Sequence, residues 1–118
     1  MRLHAHDPTT LGHLVKALAG ERDGRRRRNA ARALGHMGPL ARDAVYDLAA
    51  ALEDVDNCVR SECAHALGRI GPGATSAIPH LASALRDPCP MVRAEAAATL
   101  TAIWNAMVEA RQGAFGRR

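Results

Sequence analysis

The sequence predicts an all-α fold, a right-handed α-solenoid of antiparallel helix pairs on a 33-residue period. Three observations carry that expectation. Leu34, Leu67 and Leu100 lie 33 residues apart, and Arg27-Arg28-Asn29-Ala30-Ala31-Arg32-Ala33-Leu34-Gly35 returns as Arg60-Ser61-Glu62-Cys63-Ala64-His65-Ala66-Leu67-Gly68. Apolar residues inside each period, such as Val59, Cys63, Ala66, Leu67 and Ile70, keep helical spacing. Gly38-Pro39 and Gly71-Pro72 then interrupt both copies at the same place. A unit of this length cannot bury its apolar stripe alone and must stack on its neighbours.

The elements follow in order. Residues 8–19, with Leu11, Leu14 and Leu18 matching Ile78, Leu81 and Leu85, read as a second-type (B) helix without a first-type (A) partner. Residues 25–53 and 57–86 are full units, each an A helix, a Gly-Pro turn and a B helix. Residues 90–111 open a third A helix, but Trp104-Asn105 replaces the Gly-Pro turn, so the helix runs on as a cap and stops at Gly113. Trp104 is expected to lie across the last B helix. Residues 1–7 and 112–118 read as flexible tails.

The best-formed unit carries Val59-Arg60, Ala66-Leu67-Gly68, Ile70-Gly71-Pro72, Ala77-Ile78-Pro79 and Ala84-Leu85. With Asp54 before it, and Asp87 opening the next copy through Val92-Arg93, this resembles bacterial-type HEAT repeats, as in bilin-lyase-like HEAT proteins. The resemblance covers residues of about 8–104 and implies scaffolds, transport factors and a few enzymes. The enzyme branches fail residue by residue. Deoxyhypusine hydroxylase holds iron through repeated His-Glu pairs, whereas Glu62 and Glu95 follow Ser61 and Ala94 here. Nothing identifies a bilin pocket, and HEAT-like DNA glycosylases need aromatics that this chain lacks. No enzymatic activity and no cofactor are therefore expected.

Composition narrows the classes further. Aromatics amount to 3%, namely Tyr46, Trp104 and Phe115, which disfavours a large apolar pocket. Cys58, Cys63 and Cys89 form no CxxC pair, so a disulfide framework or zinc module is not expected. No apolar run approaches the ~20 residues of a membrane span, and the N-terminus lacks a signal-peptide core. A cytoplasmic protein without membrane insertion is the expectation. Net charge is +4, with Lys16 the single lysine.

Candidate residues fall into three groups. Arg60 and Arg93 sit six residues after Asp54 and Asp87, and Arg27 six after Glu21, a step suited to acid–arginine ties between units. On the B-helix face, His13, Lys16, Asp43, Tyr46, Asp47, Ser76, His80 and Ser83 form a polar strip around one tyrosine, a frequent interface anchor. His13, Asp47 and His80 share a column, but helix spacing of ~10 Å is too wide for them to hold a metal. His4, His6 and Asp7 have no fixed third ligand, so no metal site is expected there either.

Arg25-Arg26-Arg27-Arg28, with Arg22 and Arg32 close by, make the one dense charge run, and Arg25, Arg26, Arg28 and Arg32 are candidates for binding an anion. Arg26 stands in the column of Val59 and Val92. Two functions remain open on these grounds. One is a non-enzymatic protein-interaction scaffold using the B-helix face with an unidentified protein partner. The alternative is nucleic-acid or polyanion binding through the Arg25–Arg28 edge. Self-association through the solenoid ends is a further expectation, because the first B helix is unpaired.

Overall fold

The structure, a computed structural model, describes residues 8–116. Six α-helices follow one another: α1 (Pro8–Gly20), α2 (Gly24–Met37), α3 (Val45–Ala50), α4 (Asn57–Ile70), α5 (Ile78–Ala84) and α6 (Pro90–Gly116). Short 3-10 segments, Gly38–Ala44 and Gly71–Ala77, lead into α3 and α5. The A helices form one row, α2 on α4 and α4 on α6; α1, α3 and α5 form the B row behind it. The described residues contain no strand, and the architecture is the expected all-α solenoid.

The turns explain why each unit folds back. Gly38 and Gly71 take φ of 59° and 81°, a region open to glycine, and their N–H groups bond the carbonyls of Gly35 and Leu67. Pro39 and Pro72 then start the 3-10 segment, where a missing N–H does no harm. Both segments kink at the same column, Ala41 and Ala74, with ψ of 16°. The chain thereby reverses twice with one geometry. Asp23 and Asp56 cap α2 and α4 by accepting the N–H groups of Arg25 and Cys58.

The core is built from small residues and leucines. Leu34, Leu48, Leu67, Ile70, Leu81 and Ile103 are fully buried, with Ala31, Ala41, Ala44, Ala64, Ala74 and Ala77 between them. Cys63 lies in the Ala30/Ala96 column and is fully buried, so burial pushes its thiol pKa well up. Thr99 is buried too, and its hydroxyl donates across the A row to the Ala64 carbonyl at 2.7 Å.

Two expectations need correction. The capping helix does not stop at Gly113; α6 continues to Gly116, so 112–116 is helix and not a flexible tail. An isolated glycine in a helix costs only about 1 kcal/mol relative to alanine, and among the described residues only Gly38 and Gly71 adopt positive φ. Trp104 does not lie covered: it is 63% exposed. Ile103 takes the buried position, and the helical step of about 100° turns Trp104 outward. Residues 1–7, including His4, His6 and Asp7, and residues 117–118 lie outside the described residues.

Candidate functional site

The inter-unit loops hold the arginine ladder, with a pairing different from the expected one. Arg27 donates through Nε and Nη2 to both oxygens of Asp54, at 2.8 and 3.0 Å; Arg60 does the same to Asp87. The carboxylate therefore comes from 27 residues ahead, in the next unit. The residue six positions back contributes only its backbone: Nη1 of Arg27, Arg60 and Arg93 bonds the carbonyls of Glu21, Asp54 and Asp87. One fork thus holds two successive loops.

Electrostatics follow from that geometry. For Asp87, the bonds from Arg60 hold the carboxyl below its ordinary range despite partial desolvation. For Asp54, burial pushes upward, but Arg27, the Asp56 N–H and Arg60 together outweigh it and the net shift is also downward. The bonds to Asp54 and Asp87 raise the Arg27 and Arg60 guanidinium pKa values in turn.

Apart from Asp47 the B-helix strip is exposed, though not all of it lies on helices. Asp43 and Ser76 sit in the 3-10 segments. His13 and Lys16 are exposed on α1, and Tyr46 on α3 is 76% exposed. Ser83 on α5 bonds its hydroxyl to the Pro79 carbonyl at 3.3 Å. Asp47 is half-buried beside Leu18, Ala19 and Ala50 in a cleft of about 250 Å³. His80 and Ser83 line a second cleft of about 460 Å³ with Ala49, Leu52 and Ala84. The two clefts flank α3, and Glu53 lines both. Glu53 was not legible as a site residue, because its place is set by where two helix pairs meet.

The arginine run is divided by the fold. Arg25 and Arg26 are exposed, with Arg26 at 3.7 Å from Glu21. Arg27 belongs to the ladder, and Arg28 is half-buried. Arg32 bonds Glu62 at 2.8 Å, and the same columns pair His65 with Glu95 at 3.1 Å one unit later. Thus Arg32 is not an unengaged cation but the first rung of a second ladder. Its signal was present in the sequence as acids placed 30 residues after Arg32 and His65.

Cys89 is a further feature missed in the sequence. It stands in the column of the capping residues Asp23 and Asp56, at the start of α6. The N–H of Val92 lowers its thiol pKa first, with help from Met91 and from the Asn57 amide at 3.7 Å. Among the described residues no group of three or more His, Cys, Asp or Glu is placed to hold a metal ion. No helix of the described residues is long and apolar enough to cross a membrane.

Comparison with family models matches residues 11–101, most of the chain, to HEAT repeats. Comparison with curated proteins finds no match.

Proposed function

The chain belongs to the HEAT-repeat family, and from that premise we propose that it is a non-enzymatic protein-binding module working through its B-helix face. The observation that carries the reading is the pair of clefts on either side of α3. Their floors are apolar (Leu18, Ala50 and Ala51 in one, Ala49, Leu52 and Ala84 in the other), and Tyr46 stands exposed on the helix between them. An apolar floor under a polar rim suits small hydrophobic side chains of a partner segment. Asp47 and Glu53 at the rims favour a partner with lysine or arginine beside those side chains. Tyrosine supplies a large contact area at little conformational cost.

The exposed Arg25 and Arg26 act as a peripheral charge patch in this reading. No aromatic residue lies close to them in the sequence to stack bases, which weighs against a nucleic-acid groove. The test compares wild type with Tyr46→Ala and with Arg25→Gln/Arg26→Gln, measuring partner capture with and without nuclease. Tyr46→Ala is expected to weaken binding by about 2 kcal/mol, roughly thirtyfold, while the arginine variant and nuclease leave capture intact. Capture that ignores Tyr46 and vanishes with nuclease or with the arginines would transfer the function to polyanion binding.

A further inference from the structure

Burial falls away at both ends of the stack, in matching columns. Leu34 and Leu67 are fully buried, whereas Leu100 is half-buried; Ala31 and Ala64 are fully buried, whereas Ala97 is exposed. The opposite end repeats the loss. Leu48 and Leu81 are fully buried, and Leu14, in the corresponding place on α1, is half-buried. The cause is the order of elements. Among the described residues, α1 is a B helix with no A helix before it, and α6 is an A helix with no B helix after it. Each end of the described stack is half a unit, and the halves are complementary.

The ladder shows the same pattern in charge. Glu21 stands in the loop column of Asp54 and Asp87, yet its side chain is 38% exposed against their 12% and 8%. Its side-chain partner among the described residues is the exposed Arg26, at a loose 3.7 Å. Arg93 stands in the column of Arg27 and Arg60 and bonds the Asp87 carbonyl as they bond theirs. Among the described residues no carboxylate meets the rest of its fork. Among the described residues, one end of the stack carries a ladder acid without its ladder arginine, and the other a ladder arginine without its acid.

We infer that copies of this chain stack head to tail, α1 of one copy completing the unit that α6 of its neighbour opens. Arg93 then forks onto Glu21 of the second copy as Arg60 forks onto Asp87, and Leu100 is covered by Leu14 of that copy. A second copy is the occupant because it offers an apolar B helix followed by an acid in the loop, which is what the α6 end requires. Thr101 stands in the column of Gly35 and Gly68, where a Cβ meets the next A helix at 3.2 and 2.8 Å. The A rows of two copies are therefore held further apart than within one copy, and the junction is weaker than the internal stack. Such a contact is heterologous: it grows into short filaments or rings and does not close as a two-fold dimer. It uses the ends of the stack and is independent of partner binding at the B-helix face.

The test is sedimentation of the full chain over micromolar to millimolar concentration, with thermal melting as the control for folding. Wild type is expected to rise in mean mass with concentration, beyond a dimer. Arg93→Glu and Glu21→Arg each place like charges at every junction and weaken association by about tenfold or more. Mixing the two variants restores association in alternating order, because each junction between unlike variants again joins opposite charges; damage to folding would not be rescued in this way. A wild type that stays monomeric throughout, a closed dimer, or association indifferent to both reversals overturns the inference.

Discussion

Arg60 and Asp87 are 27 residues apart in sequence and meet through two parallel bonds of 2.8 and 3.0 Å. Because Nη1 of the same guanidinium also bonds the Asp54 carbonyl, one side chain joins the loop before its own unit to the loop after it. The bond of Asp87 to the Cys89 N–H, at 2.8 Å, shapes the turn into α6. Replacing Asp87 by alanine removes all three bonds that its carboxylate accepts, and the expected destabilisation is about 1–3 kcal/mol by denaturant unfolding. Arg60→Lys retains the charge but not the fork, and it is expected to recover only part of the loss.

The ladder also fixes how stability depends on pH. Asp54 and Asp87 have carboxyl pKa values below the ordinary one in the fold. Their contribution is therefore complete above the unfolded aspartate value of about 3.9 and is lost as pH falls through the depressed folded values. Stability is expected to be level from neutral pH to about 5 and to fall below about 4. In Asp87→Asn the acid-dependent fall becomes shallower. A melting temperature equally steep in wild type and variant would show that the pairs do not govern it.

Gly68 and Thr99 make a coupled pair across α4 and α6. A Cβ at Gly68 would stand 2.8 Å from Thr99 Oγ1. Gly68→Ala is therefore expected to destabilise the wild type even though alanine favours helix by about 1 kcal/mol. In a Thr99→Ala background the obstruction is gone and the sign reverses. A double-mutant cycle reads this directly, and additivity of the two changes would refute the close approach.

Cys63 and Cys89 are expected to differ in reactivity. Cys63 is fully buried with its pKa raised, while Cys89 has its pKa lowered by N–H groups at the start of α6. The pH–rate profile of Cys89 alkylation should have its midpoint below the ordinary thiol value of about 8.5. Cys63 should react only when the protein unfolds. Cys89→Asp restores the capping residue of the other A helices and should raise the melting temperature.

Much of the fold was legible because repetition removes ambiguity. Gly38-Pro39 and Gly71-Pro72 mark a local conformational requirement, and the leucine columns mark helical faces that only stacking can bury. The ends were less legible. Gly113 is a helix breaker by composition, yet α6 passes through it, since no left-handed turn or proline follows to stop the helix. Trp104 was expected to be covered, and its exposure depends on which face Ile103 had already taken.

The sequence by itself determined the helical unit and its turn, because these depend on residues close together in the chain. It also marked the exposed strip around Tyr46 and the ladder columns. Only the tertiary structure decided the partners. Arg27 meets Asp54 rather than the side chain of Glu21, Arg32 meets Glu62, and Glu53 reaches both clefts. The reason is physical: a periodic sequence states which columns exist, but the offset between neighbouring helices sets which columns touch. That offset comes from the packing of small residues such as Gly35 against Ala66 and Gly68 against Thr99.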